Sequence, residues 1–296
     1  MASQNFDVIL VGHFAKDKDI VDGKERDVPG GAVYYGAFPL KMMGINIAVV
    51  TKLAREDFPQ LSVFARAGIP VFAREAPQTT GIRNVYSTED PDNRQSYPLG
   101  FAGSFSENDF PNIQAKVIHI GALMKGEVPL KIIEKLSRIA DLSLDVQGFV
   151  RVKEGSQLVL RDWDEKSIAL PYITYLKADA TEAKVLTRTS DLPIAAKFLA
   201  KMGPSEVLIT HKDGVVLFAK EELYQAPFHP KSLKGRTGRG DTCISTYIGK
   251  RLTLAPYKAL CFAVALTTLK LEKKGPFRGE LEDVEALSRK FEMDKT

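Results

Sequence analysis

The chain has 296 residues, 44% of them apolar and 26% charged, a balance that supports a buried core and excludes a disordered chain. Lys and Arg number 41 against 37 Asp and Glu, and the net charge of +4 is too small and dispersed to indicate nucleic acid. Two cysteines, Cys243 and Cys261, make no disulfide framework, no apolar run reaches the roughly 18–20 residues that span a bilayer, and Met1 to Asp7 lacks the pattern of a signal peptide, so a cytoplasmic protein without membrane or nucleic-acid partners is expected.

Phe6 to Val11 reads as a first strand, closed by Gly12. The polar stretch Lys16 to Val28 reads as a hairpin turning at Asp22-Gly23. Gly30-Gly31 lead into a helical stretch through Met43, and Ile45 to Thr51 is the next strand. Thr79 to Phe105 alternates weakly around a polar turn, Thr88 to Arg94, and pairs with the first hairpin outside the main sheet. Val117 to Ile120 and Leu142 to Val146 are strands, and His119 is read as a core residue. Between them Pro129 opens a helix with Leu130, Ile133, Leu136 and Ile139 at helical spacing. Trp163 stands alone in a charged loop. Ile194 to Met202 is helical, and Val207 to Thr210 and Val215 to Phe218 are strands. Ile244, Tyr247, Ile248 and Leu252 mark a helix beginning near Gly240, and Pro256 to Leu271 is apolar almost all round, as a buried helix is. Apolar strands without polar alternation indicate a mainly parallel sheet, and the strand–helix alternation indicates an α/β fold with helices on both faces.

Four segments carry chemistry. In Thr237-Gly238-Arg239-Gly240-Asp241-Thr242 two glycines precede a helix N-terminus, an arrangement that aims backbone N–H groups at an anion. Asp241 repels that anion unless its task is to accept a proton from an attacking hydroxyl. The plainer reading is a turn with Thr237 or Asp241 as helix cap. Gly30-Gly31 allows close approach to a ligand or makes a tight turn. Asp17, shortly after the first strand, is an acceptor for hydroxyls or a solvated loop charge. Asp179 caps a helix with Glu182 as its box partner, and the same two carboxylates can order the waters of Mg²⁺. Cys243 sits where a helix N-terminus lowers a thiol pKa, with nothing else pointing to thiol chemistry.

In this order, Gly30-Gly31, Lys177-x-Asp179-x-x-Glu182, Thr210 at a strand end and the Gly238–Asp241 loop resemble the PfkB, or ribokinase-like, family of carbohydrate kinases over nearly the whole chain. The resemblance implies one three-layer α/β/α domain over residues 1–296, with a central mainly parallel sheet and a small β lid from about 15–30 and 79–105 that offers a homodimer face. It implies an ATP-dependent kinase that phosphorylates a hydroxyl of a small sugar or polyol. Asp241 then stands at the catalytic base and Gly238, Arg239 and Gly240 at the anion hole. Asp17, Gly30, Gly31 and Tyr35 stand at the acceptor site. Thr210 and Gly275, with Gly238 and Gly240, stand at the nucleotide site. Glu182, Asp179 and Asp145 stand at Mg²⁺.

The departures are specific. Arg239 replaces a small residue, Asp179 an Asn, Gly235 an Asp and Tyr35 a substrate-binding Asn, which argues against ribose. Thr210-His211-Lys212-Asp213-Gly214 is one residue short of the usual nucleotide-ribose segment. Val11-Gly12-His13, Leu176-Lys177-Ala178, and Lys270-Leu271-Glu272 with Gly275-Pro276-Phe277 resemble the inositol-kinase branch and lean the acceptor towards a cyclitol such as myo-inositol. A sugar-acid or nucleoside kinase on the same fold is the alternative. So is an inactive ligand-binding regulator, against which Asp241 argues.

Overall fold

The computed structural model describes residues 4–21, 23–86 and 94–293. Asp22 of the expected hairpin turn and residues 88–93 of the second polar turn lie outside the described residues.

In chain order, β1 (Gln4–Val11), β2 (Ala15–Val21) and β3 (Lys24–Gly30) precede α1 (Ala32–Met42). Then come β4 (Ile47–Ala54), α2 (Ser62–Arg66), β5 (Val71–Ala76), β6 (Gly81–Tyr86), β7 (Arg94–Gly100) and β8 (Ile113–Ile120). The middle of the chain forms α3 (Leu130–Ser137), β9 (Asp141–Asp145), α4 (Gln147–Val150), β10 (Arg151–Glu154), β11 (Gln157–Leu160), α5 (Lys166–Ala169) and β12 (Tyr175–Asp179). The last part forms α6 (Ala180–Thr187), α7 (Leu192–Ala200), β13 (Glu206–His211), β14 (Gly214–Ala219), β15 (Glu222–Pro227), α8 (Arg239–Arg251), α9 (Pro256–Leu271) and α10 (Leu281–Met293).

The main sheet has the order β15-β14-β13-β12-β9-β8-β1-β4-β5. From β13 to β5 every pairing is parallel. Successive side chains of a strand face opposite sides. Val8 and Leu10 accordingly pack into one core with α1, α8, α9 and α10, and Ile9 and Val11 into a second core with α3, α6 and α7. This is the three-layer α/β/α arrangement. The run Val215–Phe218 looks parallel in sequence, yet β14 pairs antiparallel with β13. Only Lys212 and Asp213 separate the two strands, too few for a parallel crossover.

A second sheet, β10-β11-β7-β6-β2-β3, covers the rim of the first. It draws on both polar stretches and adds the hairpin β10–β11, which the sequence reading left unassigned. Three smaller expectations are corrected. Pro129 is the cap rather than the first residue of α3, and Ile139 lies beyond that helix, 47% exposed. Trp163 is buried, its ring 4.4 Å from that of Phe149. His119 is a core residue as expected, hydrogen-bonded through Nδ1 to Ser143 Oγ at 2.9 Å across the β8–β9 pair. Among the described residues no helix is long and apolar enough to cross a membrane.

Candidate active site

Strand register makes the first assembly step. Pairing of β9 with β12 sets Lys177 opposite Asp145, and pairing of β12 with β13 sets Asp179 opposite Thr210. Parallel strands deliver their carboxyl ends to one rim, the place where open α/β sheets bind ligands. A cleft of about 170 Å³ opens there. The second sheet contributes Asp17, Ile82, Asn84 and Arg151, and the start of α1 contributes Gly31 and Tyr35. Across from them the main sheet and the approach to α8 contribute Lys177, Asp179, Thr210 and residues 236–241.

The glycine loop ends at Gly238, the N-cap of α8, with φ +78 and no side-chain cap. Neither Thr237 nor Asp241 caps the helix, which corrects the plainer sequence reading. At residue 238 a Cβ would lie 2.1 Å from the Tyr35 ring, so glycine is demanded by backbone angle and by space together. The Arg239 N–H donates to Arg236 O at 3.1 Å, and the Thr242 N–H to Gly238 O at 3.0 Å. The backbone donor expected from Arg239 is therefore engaged within the loop. The first-turn N–H groups of Gly240 and Asp241 remain directed out of the helix N-terminus by helix geometry, next to its partial positive charge. A Cβ at Gly240 would lie 2.9 Å from Lys177 Nζ, so that ammonium borders the loop directly.

Lys177 is buried. Its Nζ lies 2.9 Å from Asp145 Oδ2 and 3.5 Å from Glu182 Oε2. Burial alone would lower its pKa, but the charges of Asp145, Glu182, Asp179 and Asp241 outweigh it and hold the ammonium above the ordinary lysine range. The Asp179–Glu182 capping box forms as expected: the Glu182 N–H donates to Asp179 Oδ1 at 2.8 Å, and the Asp179 N–H to Glu182 Oε2 at 2.7 Å. Burial and the Asp179 charge push the Glu182 carboxyl up. Asp145 and Glu182 thus flank a lysine. Of the three carboxylates expected at Mg²⁺, Asp179 alone faces the cleft, and among the described residues no three His, Cys, Asp or Glu side chains gather as direct ligands of a metal ion.

On the side of the second sheet, Asp17 Oδ1 accepts the Ile82 N–H at 2.8 Å, tying β2 to β6. Gly30 lies behind Asp17 rather than in the cleft wall, and a Cβ there would come within 2.0 Å of Asp17 Oδ2. Gly31 caps α1 at φ +95, with His13 O 2.3 Å from where its Cβ would be. Burial raises the Tyr35 phenol far above its usual range, so it is a hydroxyl donor. Below them the buried Glu127 accepts the N–H groups of His13 and Leu123, each at 2.8 Å, which fixes the turn after β1 and the cleft residue Leu123.

The structure thus brings Asp17, Gly31, Tyr35, Asp179, Thr210, Gly238, Arg239, Gly240 and Asp241 into one cleft. Glu182, Asp145 and Gly30 stand behind its wall, and Gly275 lies beyond the end of α9, outside it. Cys243 is buried, and desolvation pushes its thiol up to about 12 rather than down. Sequence reasoning missed Lys177, Arg236, Arg151, Gln147 and Asn84. A signal existed for Arg236, since Lys234-Gly235-Arg236-Thr237-Gly238-Arg239 places three cations within six residues.

The model of the PfkB family of carbohydrate kinases matches residues 5–282. A comparison with curated protein sequences gives no match. Among solved structures, a pyrophosphate-dependent kinase in the ribokinase family, determined as a sulfate complex, is 39% identical with a TM-score of 0.88, over 94% of this chain and 99% of that chain. A pyrophosphate-dependent kinase in the ribokinase family, complexed with a pyrophosphate analogue and myo-inositol, is 38% identical with a TM-score of 0.87, over 94% and 99%. A pyrophosphate-dependent myo-inositol-1 kinase converted by mutation into a myo-inositol-3 kinase is 36% identical with a TM-score of 0.87, over 96% and 99%. Ribokinase of Arabidopsis thaliana, complexed with ribose and ATP, shares the fold at 18% identity and a TM-score of 0.75, over 97% and 99%. With the family match and these structures set beside the cleft at the strand ends, the chain belongs to the PfkB family of carbohydrate kinases, phosphotransferases that act on a hydroxyl.

Proposed function

We propose that the chain transfers a phosphoryl group from pyrophosphate to a hydroxyl of a cyclitol such as myo-inositol. The observation that carries the donor is the composition of the cleft. Around the start of α8 and the ends of β9, β12 and β13 its lining is Gln147, Lys177, Asp179, Thr210, Arg236, Thr237, Gly238, Arg239 and Gly240. Among the described residues that line this part, the one ring at the start of α8 is that of Tyr35, packed on Gly238, and no second aromatic or aliphatic side chain faces it to hold a nucleotide base. The apolar lining, Tyr35, Ile82 and Leu123, lies on the acceptor side. Pyrophosphate asks only for cations and N–H donors, which Lys177, Arg236, Arg239 and the first turn of α8 provide. The names of the kinases 36–39% identical to this chain support the same donor and acceptor. The sequence reading expected ATP.

The steps follow from the side chains. Asp17, Asn84 and Tyr35 hold the hydroxyls of the acceptor, and Ile82 and Leu123 cover its apolar face. Asp241 takes the proton as the hydroxyl oxygen attacks phosphorus. The new O–P bond forms as the bond to the leaving phosphate breaks, in line. Lys177, Arg236 and Arg239 balance the charge that builds on the phosphoryl oxygens and on the leaving phosphate. The second sheet keeps out water, which would otherwise compete as acceptor. Asp179 in the cleft, with Glu182 boxed to it, would order the waters of a Mg²⁺ ion, whose charge would add to that of Lys177, Arg236 and Arg239.

The test is an acceptor and donor panel read by phosphorus NMR of the products. Pyrophosphate with a cyclitol is expected to give the highest kcat/KM. ATP turning over about tenfold faster than pyrophosphate would overturn the donor, since that is about 1.4 kcal/mol of transition-state preference. A nucleoside or sugar acid as best acceptor would overturn the cyclitol.

A further inference from the structure

Lys270 lies in the last turn of α9 and is 1% exposed, although nothing in the reaction described above uses it. Its ammonium donates to Gly235 O and to Thr237 O. The Tyr35 ring lies 5.1 Å from Nζ. The same stretch of loop is pressed on the end of α9. The Gly235 N–H donates to Leu271 O at 2.8 Å, and a Cβ at residue 235 would lie 1.8 Å from Lys273 O and 2.7 Å from Lys270 O. Glycine at 235 is therefore a matter of room, and the carbonyls on either side of Arg236 converge on one ammonium. Arg236 in turn offers the carbonyl that receives the Arg239 N–H at the start of α8, and its side chain lines the cleft.

A buried ammonium is a costly group to hold. Burial lowers its pKa to about 8, the charge of Asp241 opposes that shift, and the charge of Arg239 adds to it. Backbone carbonyls gathered around a compact monovalent cation are the chemistry of a potassium or ammonium site. Here the cation is covalently part of the chain.

We infer that Lys270 is an internal cation: its ammonium fills a backbone-carbonyl cage behind the glycine loop, fixes residues 235–237, and thereby aims the first-turn N–H groups of α8 and the Arg236 side chain at the donor. Lys270 is a positioning residue, and the loop needs no dissolved monovalent cation.

The inference rests on the phosphoryl-transfer reading of the loop. The tests all use tetramethylammonium buffers of constant ionic strength. Wild-type turnover should be the same with and without added potassium, sodium or ammonium, and a requirement for any of them overturns the inference. Lys270→Ala should lose about 10²–10³ in kcat, the loss expected for a misplaced oxyanion donor, with little change in acceptor KM. Ammonium or methylammonium should restore about tenfold of that loss, while tetramethylammonium, too large for the cage, should not. A folded variant within about threefold of wild type, or one that no small cation rescues, overturns the inference. Lys270→Met keeps a side chain along the Tyr35 ring and serves if the alanine variant does not fold. It should lose a similar kcat without rescue, and a folded methionine variant with near-normal kcat overturns the inference. An inactive wild type overturns the proposed function, and pyrophosphate binding by calorimetry, wild type against Lys270→Met, then decides the inference by itself. Weaker binding in the variant supports it and equal binding overturns it.

Discussion

Asp241 is a carboxylate set at the mouth of an anion-binding helix terminus, in a cleft it shares with Lys177, Arg236 and Arg239. Its charge opposes donor binding, so its presence points to proton transfer. Asp241→Asn should lower kcat by about 10²–10⁴ while pyrophosphate binds as well or better, as rapid-quench kinetics and calorimetry would show. Retention of more than half the wild-type kcat would remove Asp241 from that role. Glu127 makes a pH prediction. Burial raises its carboxyl to about 7, against hydrogen bonds from Leu123, His13 and Met124 that pull it down. A carboxyl raised on folding stabilises the fold fully below its ordinary pKa, and the contribution is lost as pH rises through the folded value. The stability of wild type relative to Glu127→Gln should therefore fall between about pH 4.5 and 7, by about 3 kcal/mol in urea unfolding. A flat difference across that window would mean Glu127 is ionised throughout. At this scale the residues legible in the sequence were those whose type is odd for their place, such as Asp241 beside an anion site. Lys177 was not legible, because only the β9–β12 register shows that Asp145 waits beside it. Gly275 was carried by resemblance alone and falls outside the cleft.

Helix α8 is held at both ends. Its N-terminus lines the cleft, where the proposed donor binds, and its far end is tied to the first residue of β13. Arg251 grips Glu206 through Nη2 at 2.8 Å and Nε at 3.0 Å, and the Tyr247 hydroxyl donates to the same carboxylate. Glu206 is buried, so removing it strands a guanidinium beside a tyrosine hydroxyl. Glu206→Ala should cost about 3 kcal/mol in urea unfolding, the lower end of the range for a broken buried pair because Arg251 is partly exposed. A loss below about 1 kcal/mol would class the contact with surface ion pairs. Elements were legible where hydropathy alone decides them, as with α9, observed over the expected Pro256–Leu271. Strand β12, Tyr-Leu-Lys-Ala-Asp, gives no apolar run to mark its start, because two of its five residues are charged and one of those is buried by partnership. Strand β5 was missed because it is an edge strand, half-exposed, with Arg74 and Glu75 in its sequence. Periodicity carries no information about ion pairs or edges.

Among the described residues two sheets meet at the cleft, with Asp17 and Asn84, the proposed acceptor groups, on the smaller sheet and Asp241 on the larger body. A bound cyclitol would touch both. Ligand binding shifts population towards the state that binds it, so the joint between the sheets should open less often when the acceptor is present. Amide hydrogen exchange in β2 and β6 should slow by about tenfold with a cyclitol and sulfate, while α9, already buried in the larger body, should not change. Equal slowing across the chain would mean that the sheets do not move relative to one another.

The clamp between α9 and the glycine loop also sets an order in time. The chain is synthesised from its amino-terminal end, and early parts fold first. Residues 235 and 237 leave the ribosome 35 and 33 residues ahead of Lys270. A nascent chain that has just completed α8 already carries Asp17, Tyr35 and Asp241. It has no α9 behind its loop and no ammonium for the two carbonyls. The glycine loop is therefore clamped only after α9 has been made, and a product stalled between α8 and α9 would carry the cleft residues without the ammonium that holds their loop.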